Sequence, residues 1–194
     1  MSNHPIAQQL EKRILIIDGA MGTMLQNENL TYDDFGGEAL DGCNENLVLT
    51  RPDVLDKVHR AYLEAGADII CTNTFGATPL VLNEYDLGHL AVEINTRAVE
   101  IARKVVDEYS TPEWPRFVAG AIGPTTKTLS VTGGITFDAL CETFYVQAKA
   151  LIEAGADVLL METSQDMLNV KAGTIAIHRA FEEVGVELPV MISG

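Results

Sequence analysis

The chain has 194 residues, 47% of them hydrophobic, and a formal net charge of −15; this is enough apolar material for one globular core and excludes a disordered chain. The charge, with no basic stripe to offset it, excludes a nucleic-acid surface, because a polyanion would be repelled. No apolar run approaches the ~20 residues of a membrane helix, and the polar first thirteen residues lack the apolar stretch of a secretion signal, so a cytoplasmic protein without a membrane partner is expected.

The first apolar run, Ile14-Leu15-Ile16-Ile17, predicts a strand buried on both faces that stops at Asp18. Residues 26–50 form an insertion dominated by turn formers, including Gly36-Gly37 and Asp41-Gly42-Cys43-Asn44-Glu45-Asn46, and are expected to fold over the ligand-bearing face. A helix is predicted over 52–65, with Thr50 as its N-cap and Pro52 in its first turn. A strand over 68–72, a helix over 90–109, a surface loop over 110–115 and a strand over 117–122 follow. The pattern ends with a helix over 136–154 capped near Thr136 or Asp138, a strand over 157–161, a helix over 167–184 stopped by Gly185, and a strand over 189–193.

One octapeptide occurs twice. Leu63-Glu64-Ala65-Gly66-Ala67-Asp68-Ile69-Ile70 returns 89 residues later as Ile152-Glu153-Ala154-Gly155-Ala156-Asp157-Val158-Leu159. Each copy reads as a helix ended by a left-handed glycine, a short loop with Asp, and the start of a buried strand. Strict alternation of strand and helix implies a parallel sheet with crossover helices. A doubly wound sheet would carry a glycine-rich phosphate turn after its first strand, and Gly19 and Gly22 do not fit that spacing. The strand ends are instead polar throughout: Asp18-Gly19, Thr72-Asn73-Thr74, Gly123-Pro124-Thr125-Thr126, Glu162-Thr163-Ser164 and Ser193-Gly194. That favours an α/β fold of the TIM (β/α)8 type, which places functional residues at strand exits. An eight-unit barrel needs ~250 residues, so residues 1–194 are expected to be a partial barrel of about five units, one domain incomplete at its C-terminus. The open sheet edges are expected to drive self-association.

The candidate ligand residues lie at these exits. Asp18 follows four aliphatics and opens the turn Asp18-Gly19-Ala20-Met21-Gly22-Thr23, where a carboxylate can meet an ammonium group and glycines let backbone N–H groups approach an anion; the same arrangement also suits a plain strand-to-loop turn. The repeat gives Asn73 and Glu162 equivalent positions, both aimed into the barrel mouth, with Thr74 and Thr163 beside them. Such a mouth suits a small zwitterion better than acid–base turnover, and no catalytic residue is assigned. Cys71 reads as a small core hydrophobe. Gly123-Pro124-Thr125-Thr126-Lys127-Thr128 lacks the ending of a phosphate loop. Cys43, Cys71 and Cys141, like the four histidines, show no metal-ligand spacing.

Five motifs occur in order: Asp18-Gly19-Ala20-Met21-Gly22-Thr23, Gly42-Cys43-Asn44-Glu45-Asn46, Cys71-Thr72-Asn73-Thr74-Phe75-Gly76, Gly120-Ala121-Ile122-Gly123-Pro124-Thr125 and Met161-Glu162-Thr163. Together they resemble the homocysteine-binding domain of the cobalamin-dependent methionine synthases, within the wider homocysteine S-methyltransferase family. The betaine- and S-methylmethionine-dependent branches are alternatives, as is a non-catalytic half-barrel scaffold; an aldol-type lyase lacks its strand lysine. The resemblance implies that homocysteine binds at the C-terminal face. It further implies that zinc holds the sulfur as thiolate, and that the methyl group comes from methylcobalamin recharged by methyltetrahydrofolate on separate folate and cobalamin domains. It assigns Asp18 and Glu162 to the amino-acid end of homocysteine and the backbone of residues 19–23 to the pocket wall. The cysteine motifs that hold zinc in the family have no match here, so the chain alone is expected to bind substrate without completing the reaction.

Overall fold

The computed structural model describes residues 4–127, 129 and 133–194. Thr128, at the end of the glycine–threonine run, lies outside them. Helix α1 (Pro5–Leu10) opens the fold, and three short helices, α2 (Met21–Gln26), α3 (Tyr32–Phe35) and α4 (Leu47–Thr50), occupy the stretch before α5 (Pro52–Glu64). Then come β1 (Ile69–Cys71), α6 (Pro79–Leu82), α7 (Ala91–Tyr109), β2 (Phe117–Ile122), α8 (Phe137–Glu153), β3 (Val158–Met161), α9 (Met167–Val184) and β4 (Val190–Ile192). The strands form one parallel sheet in the order β1-β2-β3-β4, with helices crossing between neighbours. This is the partial β/α barrel that the alternation implied.

β2 and β3 bury both faces, β1 nearly so, and β4 is only partly covered; the side chains sort by parity. Ile70, Val118, Ile122, Leu159 and Met161 point outward, into a core shared with Leu140, Phe144, Leu151, Ala176 and Ile177 of the helices. Ile69, Phe117, Ala119, Val158 and Leu160 point inward, and Ile6 of α1 joins them. The polar N-terminal segment thus holds a short helix whose one buried residue packs within the barrel. Gly120 faces outward where a Cβ would lie 3.0 Å from Leu151, so helix α8 lies close over β2. Thr136 caps α8 by accepting from the Ala139 N–H at 3.2 Å, and Asp166 caps α9 by accepting from Leu168 N–H at 2.9 Å. Gly66, Gly155 and Gly185 all adopt positive φ, at 105°, 93° and 75°, as the helix-ending role requires.

The duplicated octapeptide has a physical meaning. In each copy the Asp at the strand start accepts a backbone N–H from the neighbouring chain segment: Asp68 from Ile16 at 2.8 Å and Asp157 from Val118 of β2 at 2.7 Å. Each also takes an arginine, Asp68 from Arg13 at 2.8 Å and Asp157 from Arg103 at 2.6 Å. The Asp is therefore a clamp at the end of the barrel opposite the ligand-bearing strand exits.

Three expectations need correction. Residues 14–17 form no full strand but a single parallel bridge, Ile17 to Ile69. They contact β1 on one side only, and Ile14 and Ile16 are exposed, so their apolar character does not reflect burial on both faces. Thr50 does not cap α5. It closes α4, donating its hydroxyl to Asn46 O at 3.2 Å, while Arg51 precedes Pro52 without a side-chain cap. The 110–115 loop is more than a surface connection, because it delivers Trp114 Nε1 to Asp68 at 2.6 Å and lays the Trp114 ring 3.7 Å from the Arg116 guanidinium.

Candidate substrate-binding site

The strand exits surround a cavity of about 540 Å³. Asp18, Gly19, Ala20, Met21 and Gly22 form one wall, and Asn73 and Glu162 come from the ends of β1 and β3. These seven residues are brought together as the strand-end argument expected. Three others are not. Thr23 is exposed in α2. Thr74 points away, bonding Thr72 Oγ1 at 2.6 Å and donating to Ala121 O at 2.7 Å. Thr163 is exposed and sits at φ 55°, a strained conformation for a β-branched residue. Its turn ends β3 and leads to Ser164, whose N–H donates to Ser193 O at 3.0 Å.

Asp18 is the best-defined group. Its backbone N–H donates to Ile69 O at 2.9 Å, and its Oδ2 accepts the Cys71 N–H at 2.8 Å. Its Oδ1 is buried with no protein partner, a carboxylate oxygen left for something else. Burial pushes the Asp18 carboxyl up to about 6; contacts from Cys71 oppose this, and the nearby Glu162 charge adds to it. Burial likewise raises Glu162. Tyr62, from α5, buttresses the turn by donating to Ala20 O at 3.3 Å, and a Cβ on Gly19 would lie 3.0 Å from its hydroxyl.

The structure adds wall residues beyond those assigned to the site from the sequence. Asn44 and Glu45 arrive from the 26–50 insertion, Phe75 from the loop after β1, Met191 and Ser193 from β4 and its exit. Cys71, read as a core residue, lines the cavity with its thiol against Asp18. Three carboxylates, Asp18, Glu45 and Glu162, therefore face a cavity with no lysine, arginine or histidine among its described lining residues. Such a site selects a ligand carrying a cationic group, because each buried carboxylate is costly until paired.

A metal site is a different matter. Among the described residues, no three His, Cys, Asp or Glu side chains are grouped to hold an ion. Cys43 is buried and pushed up to about 11 by that burial, Cys71 is likewise raised by burial, and Cys141 sits apart on α8. These thiols do not fit a zinc centre.

The parallel β/α arrangement is shared with solved proteins of known activity. The chain is similar to crystal structures of the homocysteine methyltransferase MmuM from Escherichia coli. The oxidized form matches with a TM-score of 0.77 at 25% identity, over 93% of this chain and 63% of that one. The metallated form matches with a TM-score of 0.75 at 24% identity, over 92% of this chain and 64% of that one. The chain belongs to the homocysteine S-methyltransferase family, whose model matches residues 15–194. It is 42% identical over 187 residues to the methionine synthase of Mycobacterium leprae, which covers 96% of this chain but 15% of that protein. The chain thus spans a small part of its curated relative and about two thirds of the solved ones.

Proposed function

We propose that this chain is the homocysteine-binding part of a methionine synthase, the acceptor side of a methyl transfer. The observation that carries the reading is the orphaned Asp18 Oδ1, beside Glu162 in a cavity with no basic side chain among its described lining residues. The ammonium group of homocysteine supplies the missing partner. The backbone turn from Gly19 to Gly22 receives the carboxylate, where α2 starts at Met21 with Ala20 before it as an N-cap that offers no side-chain bond. Asn73 fixes the wall opposite, with its amide committed to Asn44 O at 2.7 Å. Identity to a methionine synthase supports the cobalamin-dependent branch over the betaine- and S-methylmethionine-dependent ones.

In a methionine synthase, methylcobalamin recharged from methyltetrahydrofolate would supply the methyl group, and zinc would supply the Lewis acid that lowers the thiol's pKa. The described thiols do not fit zinc, so none of them is assigned to hold the ion that would meet the homocysteine sulfur. This chain's own task is to bind and orient the amino acid. The reading treats residues 1–194 as one barrel domain working beside folate and cobalamin domains in the cytoplasm. No helix among the described residues is long and apolar enough to cross a membrane.

Titration calorimetry tests the reading with two probes, L-homocysteine and 4-mercaptobutanoate, which lacks the amine. The expected result is binding of the first and loss of at least roughly tenfold in affinity for the second, the scale of one charge-assisted hydrogen bond. No binding of homocysteine would leave a scaffold without substrate.

A further inference from the structure

Glu45 is the third carboxylate of the cavity, and the amino-acid reading does not use it. It sits at the tip of the 26–50 insertion, with Asn46 anchoring that tip from behind by donating its amide to Phe35 O at 2.7 Å. Glu45 Oε1 accepts the Gly76 N–H at 2.7 Å. Gly76 is shaped for this contact, since a Cβ there would lie 2.8 Å from that same oxygen. A second bond, Asn73 Nδ2 to Asn44 O at 2.7 Å, closes the same seam three residues earlier. The loop after β1 is thus stitched to the insertion at both of its ends. Between the stitches lies Phe75, 41% exposed and lining the cavity. Its carbonyl accepts the Gly123 N–H at 2.9 Å, where a Cβ on Gly123 would come within 2.6 Å.

We propose that Glu45 is a positioning residue: by holding the Gly76 N–H it clasps the Asn73–Gly76 loop to the insertion and so sets Asn73 and Phe75 as a fixed wall of the amino-acid pocket. The clasp needs an acceptor oxygen at the end of a two-carbon arm, and no cation is in reach to compete for it among the cavity's described lining residues. Burial raises the Glu45 carboxyl, as suits a group whose acceptor role does not depend on its charge. The proposal rests on the amino-acid reading for its consequence in binding, but the clasp itself stands on geometry alone.

The test compares the 194-residue protein with Glu45→Gln, Glu45→Ala and Gly76→Ala, reading amide hydrogen exchange at residue 76 and the dissociation constant for L-homocysteine. Gln keeps an acceptor oxygen at the same reach, whereas Ala removes it. Glu45→Ala is expected to speed exchange at Gly76 and weaken homocysteine binding, each roughly tenfold, the scale of one lost hydrogen bond. Glu45→Gln restores most of both. Gly76→Ala, which pushes the carboxylate away while leaving it in place, reproduces the loss even if Glu45→Ala fails to fold. Unchanged exchange at residue 76 in both alanine variants overturns the proposal. So does a Glu45→Gln variant that keeps Gly76 protected yet binds as poorly as Glu45→Ala, because the charge would then act on the ligand directly. If the wild-type protein binds no homocysteine, the amino-acid reading fails, and the exchange pattern alone still decides the clasp.

Discussion

Asp18 shows how a single side chain can link strand, pocket and proton. Its Oδ2 is fixed by the Cys71 N–H and its Oδ1 has no protein partner, so it meets the ligand from a set position. Burial and then the neighbouring Glu162 hold its carboxyl at about 6, above the ordinary carboxylate value. A raised acid favours its protonated form, so without ligand the group weakens the fold as pH rises from about 4 to about 6, and no further above that. An ammonium ligand reverses the preference and draws the proton off. Homocysteine binding is therefore expected to tighten as pH rises through 6, with proton release near that pH. Calorimetry in buffers of different ionisation heat checks this, and Asp18→Asn should abolish the release.

At the scale of elements, the clamps made by the repeated Asp residues tie successive strands. Asp68 is almost fully buried and serves Arg13, Ile16 N–H and Trp114 together. Burial alone would raise it, but these partners outweigh burial and hold it at about 2. A depressed acid contributes stability that is complete above about 4 and is lost as pH falls toward 2. Trp114 is the only tryptophan, so its fluorescence should follow that loss. Asp68→Ala is expected to destabilise the protein by about 3 kcal/mol, the cost of stranding the buried Arg116 guanidinium that lies 3.7 Å from the carboxylate, as measured by urea denaturation.

The same elements show what the sequence could reveal. Runs such as Phe117–Ile122 read as strands because helices cover one face and the barrel interior the other. The 14–17 run looked alike, yet it lacks that cover, which a local pattern does not report. Asp18, Asn73 and Glu162 were legible because parallel strands all exit on one face. Thr74 and Thr163 were assigned by adjacency, but side chains alternate along a strand, so the neighbour of an inward residue points out. Glu45 and Phe75 reach the cavity from an insertion and a loop whose paths carry no periodic signal.

For the whole molecule, the sheet is a strip rather than a closed ring. Among the described residues β4 pairs only with β3, and the 14–17 segment only with β1. Ile14 and Ile192 are exposed at 83% and 54% on these two borders. Unpaired, apolar edges template association. We propose that the 194-residue protein self-associates, and light scattering should show a mean mass rising with concentration; a constant monomer mass across a wide range would contradict it.

The central claim is that Asp18 and Glu162 hold the ammonium group of an amino acid in the acidic cavity. The most direct measurement is the dissociation constant of L-homocysteine for the wild-type protein, Asp18→Asn and Glu162→Gln, at pH 7 and matched thermal stability. Each substitution should weaken binding by roughly tenfold or more, the scale of a hydrogen bond between charged groups. Equal affinity in all three proteins would contradict the account.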